Sequence, residues 1–70
     1  MRIFMKTPYW QITVETPRYG RGESILEQDE DKAKDILFEK AKSLEPGQTV
    51  YLYQVDDNGF IRPEYTITRK

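Results

Sequence analysis

The chain contains neither cysteine nor histidine. Without thiols there are no disulfides and no thiolate nucleophiles. Without imidazoles the commonest general base is missing. The usual ligands of zinc sites are excluded with them. No apolar run approaches the roughly 20 residues that cross a bilayer, and the opening MRIFMK is too short and too charged for a secretory leader. A cytoplasmic location and no membrane contact are therefore expected. An excess of either charge sign is also lacking, because 11 Lys and Arg face 12 Asp and Glu. Affinity for a phosphate backbone needs several clustered cations, so nucleic acid is a less favoured partner than protein.

Repeats, low-complexity tracts and linker-like stretches are absent too, which leaves one small domain over residues 1–70. A domain of this size buries only about 60% of the surface its unfolded chain exposes. Such domains commonly gain stability from disulfides, a metal or a partner. What is present is a charged fraction of 33% and a hydrophobic fraction of 37%, enough for a core and too mixed for disorder.

The segment TPYWQITVET alternates, with Trp10, Ile12 and Val14 on one side and Gln11, Thr13 and Glu15 on the other. That is the period of a half-buried strand. The first eight residues could extend it, with Pro8 then at a bulge or an edge. PRYGRG carries turn residues, so the chain reverses there. ESILEQ reads as a second strand whose inward face is left open by the adjacent Ile25 and Leu26.

DEDKAKDILFEKAKSL reads as a helix. Asp29 suits the N-cap, with Glu30 and Asp31 in the first turn and Lys40 and Lys42 near the end, as the helix dipole favours. Ala33, Leu37, Ala41 and Leu44 form one stripe. Ile36 and Phe38 fall on opposite flanks of it, so one of them borders solvent. EPGQ ends the helix.

Asn58-Gly59 between two strand-like runs signals a two-residue type I′ hairpin. Counting outward pairs Val55 with Arg62, Tyr53 with Glu64, Leu52 with Tyr65, Tyr51 with Thr66 and Val50 with Ile67. Opposed residues share a face, so Val50, Leu52, Tyr65 and Ile67 lie under the helix. Tyr51, Tyr53, Val55, Arg62, Glu64 and Thr66 take the other side. A bulge would slip the count and reverse the faces beyond it. Pro63 makes the last strand an edge. The fold class is α+β, a ββαββ single domain with an antiparallel sheet and one helix packed on one face.

Two surfaces are candidates for contact with another protein. One is the uncovered sheet face with Tyr51, Tyr53 and Arg62, since tyrosine offers large area and a polar tip at interfaces; cross-strand stabilisation alone would select the same tyrosines. The other is the acidic helix start, Glu30 and Asp31, which could meet a basic surface, although capping accounts for most of its acids. A second reading is a small single-stranded nucleic-acid-binding domain. It would stack bases on the same tyrosines with help from Arg18, Tyr19 and Arg21 of the first turn. No cofactor or metal is expected: QVDDNG shares offsets with calcium loops but lacks the first carboxylate and the bidentate glutamate. An enzyme is not expected either, because a carboxylate pair would need a cleft. Self-association through the open face or the Pro63 edge is possible on the same physics.

The order YWQITVET, turn, ESILEQDEDKAKDILFEKAKSL and closing strand TVYLYQV resembles the small phage-encoded inhibitors of host machinery, such as the inhibitor of bacterial RNA polymerase made by T7-like phages. The resemblance covers about residues 9–55 and has no diagnostic motif. It implies an α+β fold and a non-enzymatic role exercised through a charged surface, and it assigns no individual residue.

Overall fold

The computed structural model describes residues 6–18 and 20–70, with Arg21 by its backbone only. Tyr19 and residues 1–5, including any extension of the first strand before Lys6, lie outside the described residues. The elements are β1 (Tyr9–Thr16), β2 (Gly20–Glu27), α1 (Glu30–Lys42), β3 (Thr49–Val55) and β4 (Ile61–Thr68). All pairings are antiparallel and the sheet order is β2-β1-β3-β4, so the ββαββ arrangement is realised with both hairpins joined through β1 and β3. Pro8 precedes β1, and Lys6 to Pro8 do not continue it.

The helix begins where its chemistry directs. Asp29 is the N-cap, and its carboxylate accepts from the backbone N–H of Asp31 at 2.8 Å and of Lys32 at 3.2 Å. Ala33, Leu37 and Leu44 are buried and Ala41 packs against them, which is the expected stripe. Ile36 joins the core, and Phe38, half exposed, is the flank that meets solvent. At the far end Ser43 caps the helix, and Arg69 donates to the carbonyl of Leu44 at 2.6 Å, tying the end of the chain to the helix exit.

Beneath the helix lie Trp10, Ile12, Val50 and Leu52, with Val14, Ile25 and Ile67 beside them. The pairs Ile12–Leu52 and Val14–Val50 put the two central strands' apolar residues in register on that side. Burying a side chain such as Leu37 or Leu52 completely contributes about 1.5–3 kcal/mol.

The second hairpin differs from the count made at Asn-Gly in two places. A type I′ turn needs φ > 0 at both central residues, but Gly59 (φ 79°) takes that conformation and Asn58 does not. The loop is instead three residues long, closed by Asp56 N–H donating to Phe60 O and Gly59 N–H donating to Asp56 O. The Asp56 carboxylate braces it by accepting from the N–H of Asn58 and of Phe60, each at 3.0 Å. The extra loop residue moves the pairing by one, to Val55–Ile61, Gln54–Arg62 and Tyr53–Pro63. A bulge at Glu64 then moves it back, so that Leu52–Tyr65, Tyr51–Thr66 and Val50–Ile67 stand as counted. Tyr65, expected under the helix, is instead 42% exposed on the edge strand and outside the core. Arg62 and Glu64 are the casualties. Arg62 shares the side of Gln54, and the Glu64 carboxylate accepts from the indole N–H of Trp10 at 3.1 Å, so neither flanks the tyrosines.

Candidate functional site: the uncovered sheet face

Among the described residues one helix covers one side of the sheet and no layer covers the other. Strand alternation decides what stands there. β1 contributes Tyr9, Gln11, Thr13 and Glu15, and β3 contributes Thr49, Tyr51, Tyr53 and Val55, in the register Tyr9–Val55, Gln11–Tyr53, Thr13–Tyr51 and Glu15–Thr49. β2 adds Ser24 and Leu26 opposite Thr13 and Gln11. From β4 come Thr66 opposite Tyr51, Pro63 opposite Tyr53 and Ile61 opposite Val55.

These residues sort along the strands. Towards the start of β1 the face is apolar, with Tyr9, Val55, Ile61, Tyr53 and Leu26. Ile61 is 61% exposed and Leu26 49% exposed, so the two sheet edges carry large apolar side chains into solvent. Towards the other end it turns hydroxylic, with Thr13, Ser24, Thr49, Thr66 and Thr68. Thr49 and Thr68 share a hydrogen bond at 2.9 Å.

Tyr51 and Tyr53 form the centre. Being two apart on one strand they share the face, and their rings stack with centroids 5.6 Å apart and planes inclined by 17°. Tyr51 donates its hydroxyl to the Glu15 carboxylate at 3.2 Å. Under this pair Thr13 is wholly buried although no helix covers it. Its hydroxyl accepts from Gln11 Nε2 at 3.2 Å and shares a bond with Ser24 Oγ at 3.1 Å. The tyrosines are thus fixed in place before anything arrives.

The other expected site residues are scattered. Glu30 is half-buried and Asp31 exposed in the first turn of α1, away from the tyrosine pair. Arg18 is exposed in the β1–β2 turn, and the backbone of Arg21 stands opposite Glu15. Tyr19 lies outside the described residues. The cations of the nucleic-acid reading are therefore not gathered: Arg62 sits beyond the bulge at the opposite end of the sheet, on the helix side. Glu15 and Ile61 escaped the sequence reading as site residues. The alternation of β1 places Glu15 on this face, but only the structural register pairs Ile61 with Val55.

A groove of about 290 Å³ lies elsewhere, between the end of α1 and the β1–β2 hairpin, lined by Val14, Gly22, Glu23, Lys40, Leu44 and Gln48 among others. Its polar groups bind one another: Lys40 meets Glu23 at 2.8 Å, and Gln48 Nε2 donates to Thr16 Oγ1 at 3.1 Å. Among the described residues no three carboxylates converge as a metal site requires, and no helix is long and apolar enough to cross a membrane. Compared with protein-family models, curated proteins and solved structures, the chain matches none.

Proposed function

We propose that the protein is a non-enzymatic binding module that docks another protein on its uncovered sheet face, with Tyr51 and Tyr53 as anchors. The observation that carries this is the stacked tyrosine pair on a face that no described residue covers with a second layer, with Leu26 and Ile61 exposed at its two edges. Aromatic anchors held rigid in advance lose little entropy on binding, and apolar surface contiguous with them supplies the rest. The role extends to that of an inhibitor or accessory factor of phage or mobile-element origin, acting in the cytoplasm by contact alone; the resemblance implies the non-enzymatic, inhibitory part of it. The charge on this face favours protein over nucleic acid, because the Glu15 carboxylate stands at the Tyr51 hydroxyl where a phosphate backbone would be repelled.

The test is affinity for a partner captured from the lysate of the cell that expresses the protein. Changing Tyr51 and Tyr53 together to Ala lowers that affinity by about tenfold or more if they are anchors. Unchanged affinity would refute the sheet-face reading. If Glu30→Gln with Asp31→Asn weakens binding instead, the helix start is the contact surface. Tight binding of a single-stranded oligonucleotide at low salt, lost in the tyrosine variant, would replace the protein partner with nucleic acid.

A further inference from the structure

The sheet ends in two edges of different construction. β4 is blunted twice, since Pro63 has no N–H to offer a neighbour and the bulge at Glu64 breaks its spacing. β2 has an irregularity of its own, between the pairs Thr13–Ser24 and Glu15–Arg21. From Ser24 to Glu27, however, it runs residue for residue with β1 and holds no proline or lysine. No other described strand lies beside it. Along this stretch alternate backbone N–H and C=O groups point outward with no described strand to receive them.

We propose that this edge is a second docking surface, which accepts a basic, extended segment of a partner protein as a fifth strand. The charge follows from the faces. Opposite charges across a ladder stabilise and like charges destabilise. On the helix side β2 presents Ile25 and Glu27, opposite Ile12 and Trp10, and Glu23, which meets Lys40 of the helix. Glu23 keeps a side chain 58% exposed despite that bridge, so it can take a second cation. Glu27 is half-buried and accepts from the backbone N–H of Gln28 at 2.7 Å and of Asp29 at 3.3 Å through Oε2, which leaves Oε1 for a cation. An incoming antiparallel strand therefore meets two partly engaged carboxylates with an isoleucine between them, and Leu26 on its other face. The matching segment has Lys or Arg at both ends, a β-branched residue at its centre and an apolar residue opposite Leu26. A second copy of this chain fits worse. Antiparallel self-pairing centred on Ile25 sets Glu23 against Glu27 twice, and centring it on Leu26 sets each Ile25 against a Glu27.

The probe is a synthetic heptapeptide, Thr-Lys-Val-Ile-Thr-Lys-Thr, with a control in which both lysines are glutamate, each titrated into the full chain. The lysine peptide is expected to bind, to lose affinity as salt rises, and to slow amide exchange between Ser24 and Glu27 while leaving β4 unchanged. The glutamate peptide binds about threefold to tenfold more weakly, and Glu23→Gln with Glu27→Gln narrows that difference. N-methylation of alternate peptide amides abolishes binding in one frame and spares it in the other, because only one edge of a strand faces β2. Equal binding of the two peptides to the unmodified chain would overturn the charge assignment. Protection around Tyr51 and Tyr53 with none in β2, or no binding of either peptide at about 1 mM, would overturn the edge site. This inference and the sheet-face reading fail separately, since changing both tyrosines to Ala leaves the peptide's affinity unchanged.

Discussion

Replacing Glu64 by Ala removes the carboxylate that accepts from the indole N–H of Trp10, a residue just 8% exposed. A charge-assisted hydrogen bond of this kind contributes about 1.5–3 kcal/mol when buried. Glu64 is half-buried, so water can replace part of what is lost, and a cost of about 1–1.5 kcal/mol follows. For a domain of this size each kcal/mol moves the melting temperature by about 4–8 °C. Trp10 is the chain's single tryptophan, so its fluorescence in urea or on heating reads the transition without a label. Glu64→Gln keeps an acceptor oxygen and should recover at least half of the loss. The reasoning fails if Glu64→Ala melts within 1–2 °C of the unmodified chain, or if Gln is no better than Ala.

Leu37→Ala, at a wholly buried position where the helix packs on the sheet, should cost about 2–5 kcal/mol, enough to leave a marginal domain largely unfolded by circular dichroism. Gly59→Ala forces a side chain into φ 79° and should destabilise by about 1 kcal/mol, with the denaturant midpoint falling at constant slope. Asp29→Ala removes the acceptor for two helix N–H groups and should cost about 1 kcal/mol, whereas Asp29→Ser should cost less. Tyr51→Phe should lower stability by about 0.5–1 kcal/mol through loss of the Glu15 bond while leaving the ring stack intact, which aromatic side-chain nuclear Overhauser contacts would show.

Much of the fold was legible because its signals are local. The cap at Asp29, the stripe through Leu37 and the alternation around Ile12 each depend on a few neighbouring residues, and the structure follows them. The inner half of the second hairpin was legible too, since Val50, Tyr51 and Leu52 keep the pairing counted from the sequence. The outer half was not. Asn-Gly announces a turn but does not say whether Asn58 or only Gly59 takes φ > 0, and the Asp56 carboxylate favours the longer loop. Nor can the bulge be read from its own strand, because the contact that occupies Glu64 comes from Trp10, 54 residues earlier. For the site, the two tyrosines were placed correctly because they share β3 with buried Val50 and Leu52. Arg62 was misplaced because it lies beyond the bulge. Ile25 and Leu26 were undecidable from the segment alone, and the pairing Ile12–Ile25 settles which one faces the helix.

The position of β1 in the middle of the sheet carries a cost during synthesis. Once made, β1 can zip to β2 at once, but its other flank waits for β3, some forty residues later. Until then Ile12 and Trp10 have no Leu52 or Val50 beside them, and the nascent chain carries a half-dressed hairpin and an unsupported helix. A ribosome-stalled chain ending near Gln48 should accordingly be cut readily by protease, and one that has cleared Thr68 should resist it.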